Sequence, residues 1–175
     1  ATGAARRSVH RARGWVPGSG GNFSVRLAPD DIVMTVSGRH KGMLKIGDFL
    51  HVNRLCEPLP INMHKKPSAE GFLHTQIYAR NPKIGAVLHF HSPYATAWSM
   101  RALKQGVPIL RVQGYELLKV FEGFTTHEAT LNVPIFSNDQ NMVRLAQLIQ
   151  THMDMTETGQ TYLLAGHGAY VWADN

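Results

Sequence analysis

Apolar and polar positions change their period several times along this 175-residue chain, and each change predicts an element. Residues 23–27 (Phe-Ser-Val-Arg-Leu) and 32–36 (Ile-Val-Met-Thr-Val) are short β-branched and aromatic runs on either side of Pro29-Asp30, the pattern of two strands joined by a turn. Residues 49–52 read as a third strand. From position 68 the period lengthens: Phe72, Leu73 and Ile77 fall on one helical face. Pro67 disfavours helix before it, so a helix over 68–80 capped by Ser68 is predicted. An apolar run from 86 closes on His89-Phe90-His91, and Ser92-Pro93 supplies a cap and a first-turn proline for the next helix. A further helix is predicted over 115–121 and an extended run over 133–136. Ser137-x-x-Gln140 resembles a capping box opening a helix to His152. Strands at 161–164 and 169–172 flank His167. Turn-linked strands near the start and helices between the later ones predict an α/β fold of the α+β type, a mainly antiparallel or mixed sheet with helices on its faces.

The strand reading gives the histidines their meaning. Alternate side chains leave the same face of a strand, so His89 and His91 point together while Phe90 turns into a core. His167, in Ala165-Gly166-His167-Gly168, follows another apolar run, and its glycines allow a second backbone or a ligand to come close. Three neutral imidazoles on rigid strands leave one position open for water or substrate, the arrangement of a catalytic zinc and not of a closed structural one.

Composition narrows the partners. With 43% hydrophobic residues the chain can bury a core without covalent staples, and the single cysteine, Cys56, excludes an internal disulfide and fits a reducing, cytoplasmic setting. No apolar stretch approaches the roughly 20 residues needed to cross a bilayer, so no membrane partner is expected. Residues 1–13 hold four arginines and no acid; a short basic helix ending at Gly14 accounts for them more plainly than a transit peptide. The net charge of +6 asks for an anionic partner, but Lys41, Lys65, Lys66, Arg80, Lys83, Arg101, Lys104, Arg111, Lys119 and Arg144 are spread over every element. Nucleic acid would call for a basic stripe with stacking aromatics, and none is present. A phosphorylated small molecule needs only one or two of these cations.

Gly14-Trp15-Val16-Pro17, Gly21-Asn22-Phe23-Ser24-Val25-Arg26, Thr35-Val36-Ser37-Gly38 with Lys41-Gly42, Lys66-Pro67-Ser68-Ala69-Glu70, His89-Phe90-His91-Ser92 and Gly166-His167-Gly168 follow one another in the order seen in the class II aldolase/adducin family, which the chain resembles over nearly its whole length. The resemblance implies a three-layer sandwich with helices on both faces of the sheet, a single domain over 1–175 that lacks the family's C-terminal helix, one zinc per subunit on His89, His91 and His167, and a homotetramer with active sites at subunit interfaces. It also implies a sugar-phosphate substrate whose phosphate is held by Gly21, Asn22, Ser37, Gly38, Lys41 and Ser68. Backbone N–H groups and short polar side chains at turns and a helix start suit that task. One departure stands out: Ser19-Gly20-Gly21-Asn22 replaces the family's Thr-Ser-Gly-Asn, so a hydroxyl at position 20 is missing.

The acids separate the reactions that such a site can run. Glu70 opens its helix, and in the aldolase branch the matching glutamate lies beside the metal and handles protons. Glu116, within Gln113-Gly114-Tyr115-Glu116-Leu117-Leu118-Lys119, is similar to the acid/base of the family's sugar-phosphate dehydratases of methionine salvage, and Thr126-His127 and Asn138-Asp139-Gln140 also look like that branch. The expectation is therefore a zinc-dependent hydro-lyase with Glu116 as proton shuttle and Glu70 in support. An aldolase or 4-epimerase of the same family is the alternative. A non-catalytic adducin-like scaffold is disfavoured because all three histidines are kept.

Overall fold

A computed structural model of the chain describes residues 14–154 and 160–174, apart from the side chain of Asp154. The basic segment 1–13, read above as a short helix, lies outside the described residues. Eight strands form one sheet in the order β3-β2-β1-β4-β8-β7-β6-β5. They are β1 (Asn22–Ala28), β2 (Asp31–Thr35), β3 (Phe49–Val52), β4 (Ala86–Phe90), β5 (Ile109–Val112), β6 (Leu131–Phe136), β7 (Thr161–Leu164) and β8 (Gly168–Ala173). Every pairing is antiparallel except β6 with β7. The mixed sheet expected from the short turns is therefore the one formed.

Helices cover both faces. Against one face lie α1 (Gly71–Arg80) and α3 (Met142–Asp154), whose Leu73, Ile77, Leu145, Ile149 and Met153 join Ile32, Leu50, Val87, Tyr162 and Tyr170 in the larger core. Leu73, Ile77 and Ile149 are fully buried, each worth about 1.5–3 kcal/mol relative to an exposed side chain. On the other face α2 (Pro93–Lys104) and the turn at 116–120 close a second cluster around Ala102, Leu118, Val133, Ile135 and Leu163, with Phe90 packed against it. Ser92 caps α2 through a hydrogen bond from the Ala95 N–H, with Pro93 in the first turn, as the sequence indicated.

Four local expectations need correction. The helix after Pro67 starts at Gly71 with Glu70 at its N-cap, not at Ser68, because residue 67 is held in a bridge to Val36 and the Ser68 hydroxyl accepts from Asn22. Phe72 turns outward, unlike Leu73 and Ile77. Residues 116–120 form a single 3₁₀ turn and no α-helix, ended by Phe121 and Phe124 folding back onto the second cluster. The cap of α3 is Asn141, whose side-chain oxygen accepts from the Arg144 N–H, in place of the Ser137-x-x-Gln140 box.

β1 departs furthest from its pattern. Asn22 and Ser24 are 3% exposed, while Val25 and Leu27 are 48% and 61% exposed. The polar side of this strand faces the helix layer and the apolar side faces out.

Candidate metal centre and cleft

The sheet builds the centre from its middle strands. β4 lies between β1 and β8, so His89 is paired with Asn22 on one side and with Tyr170 on the other. Its imidazole is stacked on the Tyr170 ring at 4.1 Å and is completely buried. Nδ1 lies 3.0 Å from the Ala169 carbonyl, a bond that places the ring proton on Nδ1 and turns Nε2 toward the cleft. His91, two residues on, leaves the same side, while Phe90 points away and stacks on Trp15 at 5.5 Å. The Gly21 N–H donates to His91 Nε2 at 3.3 Å. His167 reaches the same point from the β7–β8 turn, with Nδ1 at 3.3 Å from Asn138. That turn needs its glycine: a Cβ at Gly168 would collide with the Phe90 carbonyl.

Glu70 completes the group. One carboxylate oxygen lies 2.8 Å from His167 Nε2 and 3.7 Å from His89 Nε2, and the other accepts from Asn22. Ligand atoms of Glu70, His89, His91 and His167 all lie within 4.8 Å of one another. The chemistry of this donor set fits a divalent cation. His89 Nε2 and His91 Nε2 are 2.9 Å apart beside the Glu70 carboxylate, and with both nitrogens unprotonated, as ligation requires, their lone pairs repel. A positive centre among them turns that repulsion into ligation.

The electrostatics favour the ligating forms. Burial pushes the His89 imidazolium down to about 3, partly countered by Glu70, and burial likewise lowers His91. Burial alone would raise Glu70, but the hydrogen bond from His167 and the charges of His89 and His167 outweigh it and hold the carboxyl at about 2. Neutral imidazoles and an ionised carboxylate are what a zinc or similar ion requires.

Above the group opens a cleft of about 440 Å³, lined by Ser19, Gly20, Gly21, Ser37, Gly38, Lys41, Ser68, Ala69, Glu70, His91, Asn138, Gln140, Met142 and His167. Of the residues expected to hold a phosphate, Gly21, Ser37, Gly38, Lys41 and Ser68 border it. Asn22 lies beneath, its amide directed to Ser68, Glu70 and His74. Lys41 is buried to 2% exposure, and its ammonium donates to the Ser19 and Arg39 carbonyls at 2.9 Å each. Desolvation lowers its pKa against the opposing pull of Glu70. At Gly20, where the hydroxyl is missing, a Cβ would stand 3.0 Å from both His91 Nδ1 and the Pro17 carbonyl, a tight contact to which a neighbour must yield by a few tenths of an ångström.

Glu116 is elsewhere. Its side chain is 71% exposed on the 3₁₀ turn, 2.5 Å from Lys119 and 3.8 Å from His127, and it does not line the cleft. Sequence reasoning did not single out His74, which sits one helical turn beyond Glu70 and is 1% exposed. The signal was the i, i+4 spacing of Glu70 and His74.

Residues 3–175 match the family model of the Class II Aldolase and Adducin N-terminal domain, and with this sheet and this histidine cluster the chain belongs to the class II aldolase/adducin family. The methylthioribulose-1-phosphate dehydratase of Granulibacter bethesdensis is 47% identical over 163 residues, spanning 92% of this chain and 74% of that protein. The protein of the same name from Pseudomonas aeruginosa is 47% identical over 160 residues, 91% of this chain and 76% of its own. Among solved structures, YgbL from Escherichia coli superposes with a TM-score of 0.77 at 26% identity, over 98% of this chain and 76% of that one. The L-fuculose-1-phosphate aldolase of Thermus thermophilus shares the fold, with a TM-score of 0.69 at 22% identity over 98% and 77% of the two chains.

Proposed function

We propose that this chain dehydrates 5-methylthioribulose 1-phosphate to 5-methylthio-2,3-dioxopentyl phosphate in methionine salvage, with zinc held by His89, His91 and His167. The observation that carries the reading is the set of three imidazoles and the ionised Glu70 at the floor of a cleft that Lys41 enters. The relatives named above make the methylthio sugar phosphate the substrate of choice. Zinc bound there would supply a Lewis acid for the C2 carbonyl, which makes the C3 proton removable. The protein's own groups do the rest. Lys41, Ser68, Ser37, Gly38 and Gly21 would anchor the phosphate, since Ser68 accepts from Asn22 and keeps its own proton to donate. A carboxylate takes the C3 proton; the electron pair moves into a C3–C4 double bond as the C4 hydroxyl departs, carrying that proton away as water. The enol then gains a proton at C4 as its C3 hydroxyl gives one up, and becomes the second ketone.

Glu116 is assigned the proton transfer, with Glu70 supporting the ligands. Because Glu116 does not border the cleft of its own subunit, it would serve the site of a neighbouring one in a homotetramer. The exposed apolar side chains around it, Tyr115, Leu117 and Val120 at 63%, 75% and 71%, suit such a contact. A cytoplasmic setting agrees with the free, buried Cys56. Among the described residues no helix is long and apolar enough to cross a membrane.

A second reading has one observation in its favour: Glu70, and not Glu116, lies at the cleft, as an aldolase or epimerase mechanism would use it. Glu116→Gln and Glu70→Gln separate the two. The proposal expects Glu116→Gln to lower dehydration by roughly 10²–10⁴ with zinc content intact. Near-normal dehydration in Glu116→Gln together with its loss in Glu70→Gln would reverse the roles.

A further inference from the structure

Behind the metal centre a chain of polar side chains runs between α1 and β1. Residues four apart on a helix share a face, and residues two apart on a strand do the same. Glu70, His74 and Tyr78 therefore face Asn22, Ser24 and Arg26. Asn22 donates to Glu70, its carbonyl oxygen meets His74 Nε2, His74 Nδ1 lies 2.6 Å from the Ser24 hydroxyl, and Ser24 lies 2.9 Å from the Tyr78 hydroxyl. Arg26 closes the far end, with its guanidinium 4.7 Å from the Tyr78 ring centre and donating to the Tyr78 carbonyl at 2.8 Å. Asn22, Ser24 and His74 are at most 3% exposed.

We infer that His74 is a positioning residue: with Ser24 and Tyr78 it locks the Asn22 amide, and so the Glu70 carboxylate, in the one orientation that serves the metal centre. This rests on the zinc-site reading above.

The lock follows from donor and acceptor inventory. An ionised carboxylate can only accept, so Asn22 must turn its NH₂ to Glu70 and its carbonyl to His74. His74 must then donate from Nε2. Complete burial keeps its imidazole neutral, lowering its pKa to about 4 against the opposing pull of Glu70, so Nδ1 carries no proton and must accept from Ser24. Ser24, having given its proton to His74, accepts from Tyr78, which burial keeps as a neutral phenol up to about 12. Every proton in the chain points toward Glu70. With one carboxylate oxygen fixed in this way, the other stays aimed at His167 and His89. A buried chain of this kind also explains why β1 carries Asn22 and Ser24 on its inner side: both have partners, and an unpaired one would cost about 1–3 kcal/mol.

Long-range ¹H–¹⁵N NMR of the zinc-loaded protein reports the protonation of each imidazole nitrogen; the expected result for His74 is a neutral ring with its proton on Nε2. A proton on Nδ1, or on both nitrogens, overturns the inference. Removing the donor with His74→Leu should weaken zinc retention against a chelator and lower kcat by roughly 10–100-fold with KM little changed, as for other partners of ligand-orienting groups. His74→Gln, which keeps an N–H near the Nε2 position, should restore most of both. If His74→Leu melts cooperatively yet holds zinc and turns over like the parent, the inference fails. Should His74→Leu not fold, Ser24→Ala, a minimal change that removes the hydroxyl holding Nδ1 and so loosens the ring, decides the same point: zinc retention and kcat both unchanged from the parent count against the lock. The NMR and chelator readouts need no substrate, so they hold even if the protein does not act on the methylthio sugar.

Discussion

Two imidazole nitrogens 2.9 Å apart, with a carboxylate oxygen beside them, form an arrangement that suits a positive charge. At this scale most of the candidate chemistry was legible, because His-x-His at a strand end fixes both side chains on one side whatever the rest of the fold does. Asn22 was not legible in the same way. The sequence marked it as a phosphate contact, whereas its amide is spent on Ser68, Glu70 and His74. Lys41 and Ser68 line the cleft, and a phosphate held alike before and during the reaction contributes uniform binding. Lys41→Ala and Ser68→Ala should therefore raise KM far more than they lower kcat, Lys41→Ala the more strongly because a charge is lost. Steady-state kinetics on both variants checks this. An unaltered KM in both would place the phosphate elsewhere.

Along single elements the sequence predicted type better than boundaries. The strands other than β5, which the sequence reading did not mark, fell where alternating and β-branched runs put them, but three helix-related expectations shifted because a competing partner was invisible: Asn22 takes the Ser68 hydroxyl, Asn141 caps α3, and two phenylalanines fold 116–120 into one tight turn. The side of β1 that faces inward was the least legible feature. Its apolar residues point outward, and only the spacing of Glu70, His74 and Tyr78 on α1 hinted at polar partners. The buried face leaves a trace in stability. His74 has its folded pKa near 4 and its unfolded one near 6.5, so the unfolded chain binds the extra proton between those values and stability falls as pH drops from 6.5 toward 4. Denaturant unfolding of the metal-free protein should lose on the order of 2 kcal/mol more between pH 7 and pH 5 than His74→Gln does. Equal losses would mean that folded His74 carries a proton.

For the whole molecule, the one-sheet core positions the cleft but leaves Glu116 on an exposed turn beside apolar side chains. An interface between subunits would reconcile that exposure with the proposed catalytic role. Mixing Glu116→Gln with His91→Ala, each inactive alone, tests it. If subunits share sites, joint refolding or exchange should restore activity in roughly a quarter of the sites, by random assortment in a closed oligomer, while each variant alone stays silent. No recovery in verified mixed oligomers would return Glu116 to its own subunit or remove it from the reaction. The charge of +6 has a comparable reading at this scale: among the described residues, buried Lys41 is the one Lys or Arg that lines the cleft.

The central claim is that a zinc ion on His89, His91 and His167 drives loss of water from a methylthio sugar phosphate. Anaerobic incubation of the zinc-loaded protein with 5-methylthioribulose 1-phosphate, following the absorbance of the diketone product, tests it most directly. The account predicts diketone formation that stops on metal removal, returns on adding zinc, and is absent in His91→Ala. Cleavage of the C3–C4 bond or inversion at C4 without diketone, or diketone formation that persists in stringently metal-free protein, would contradict it.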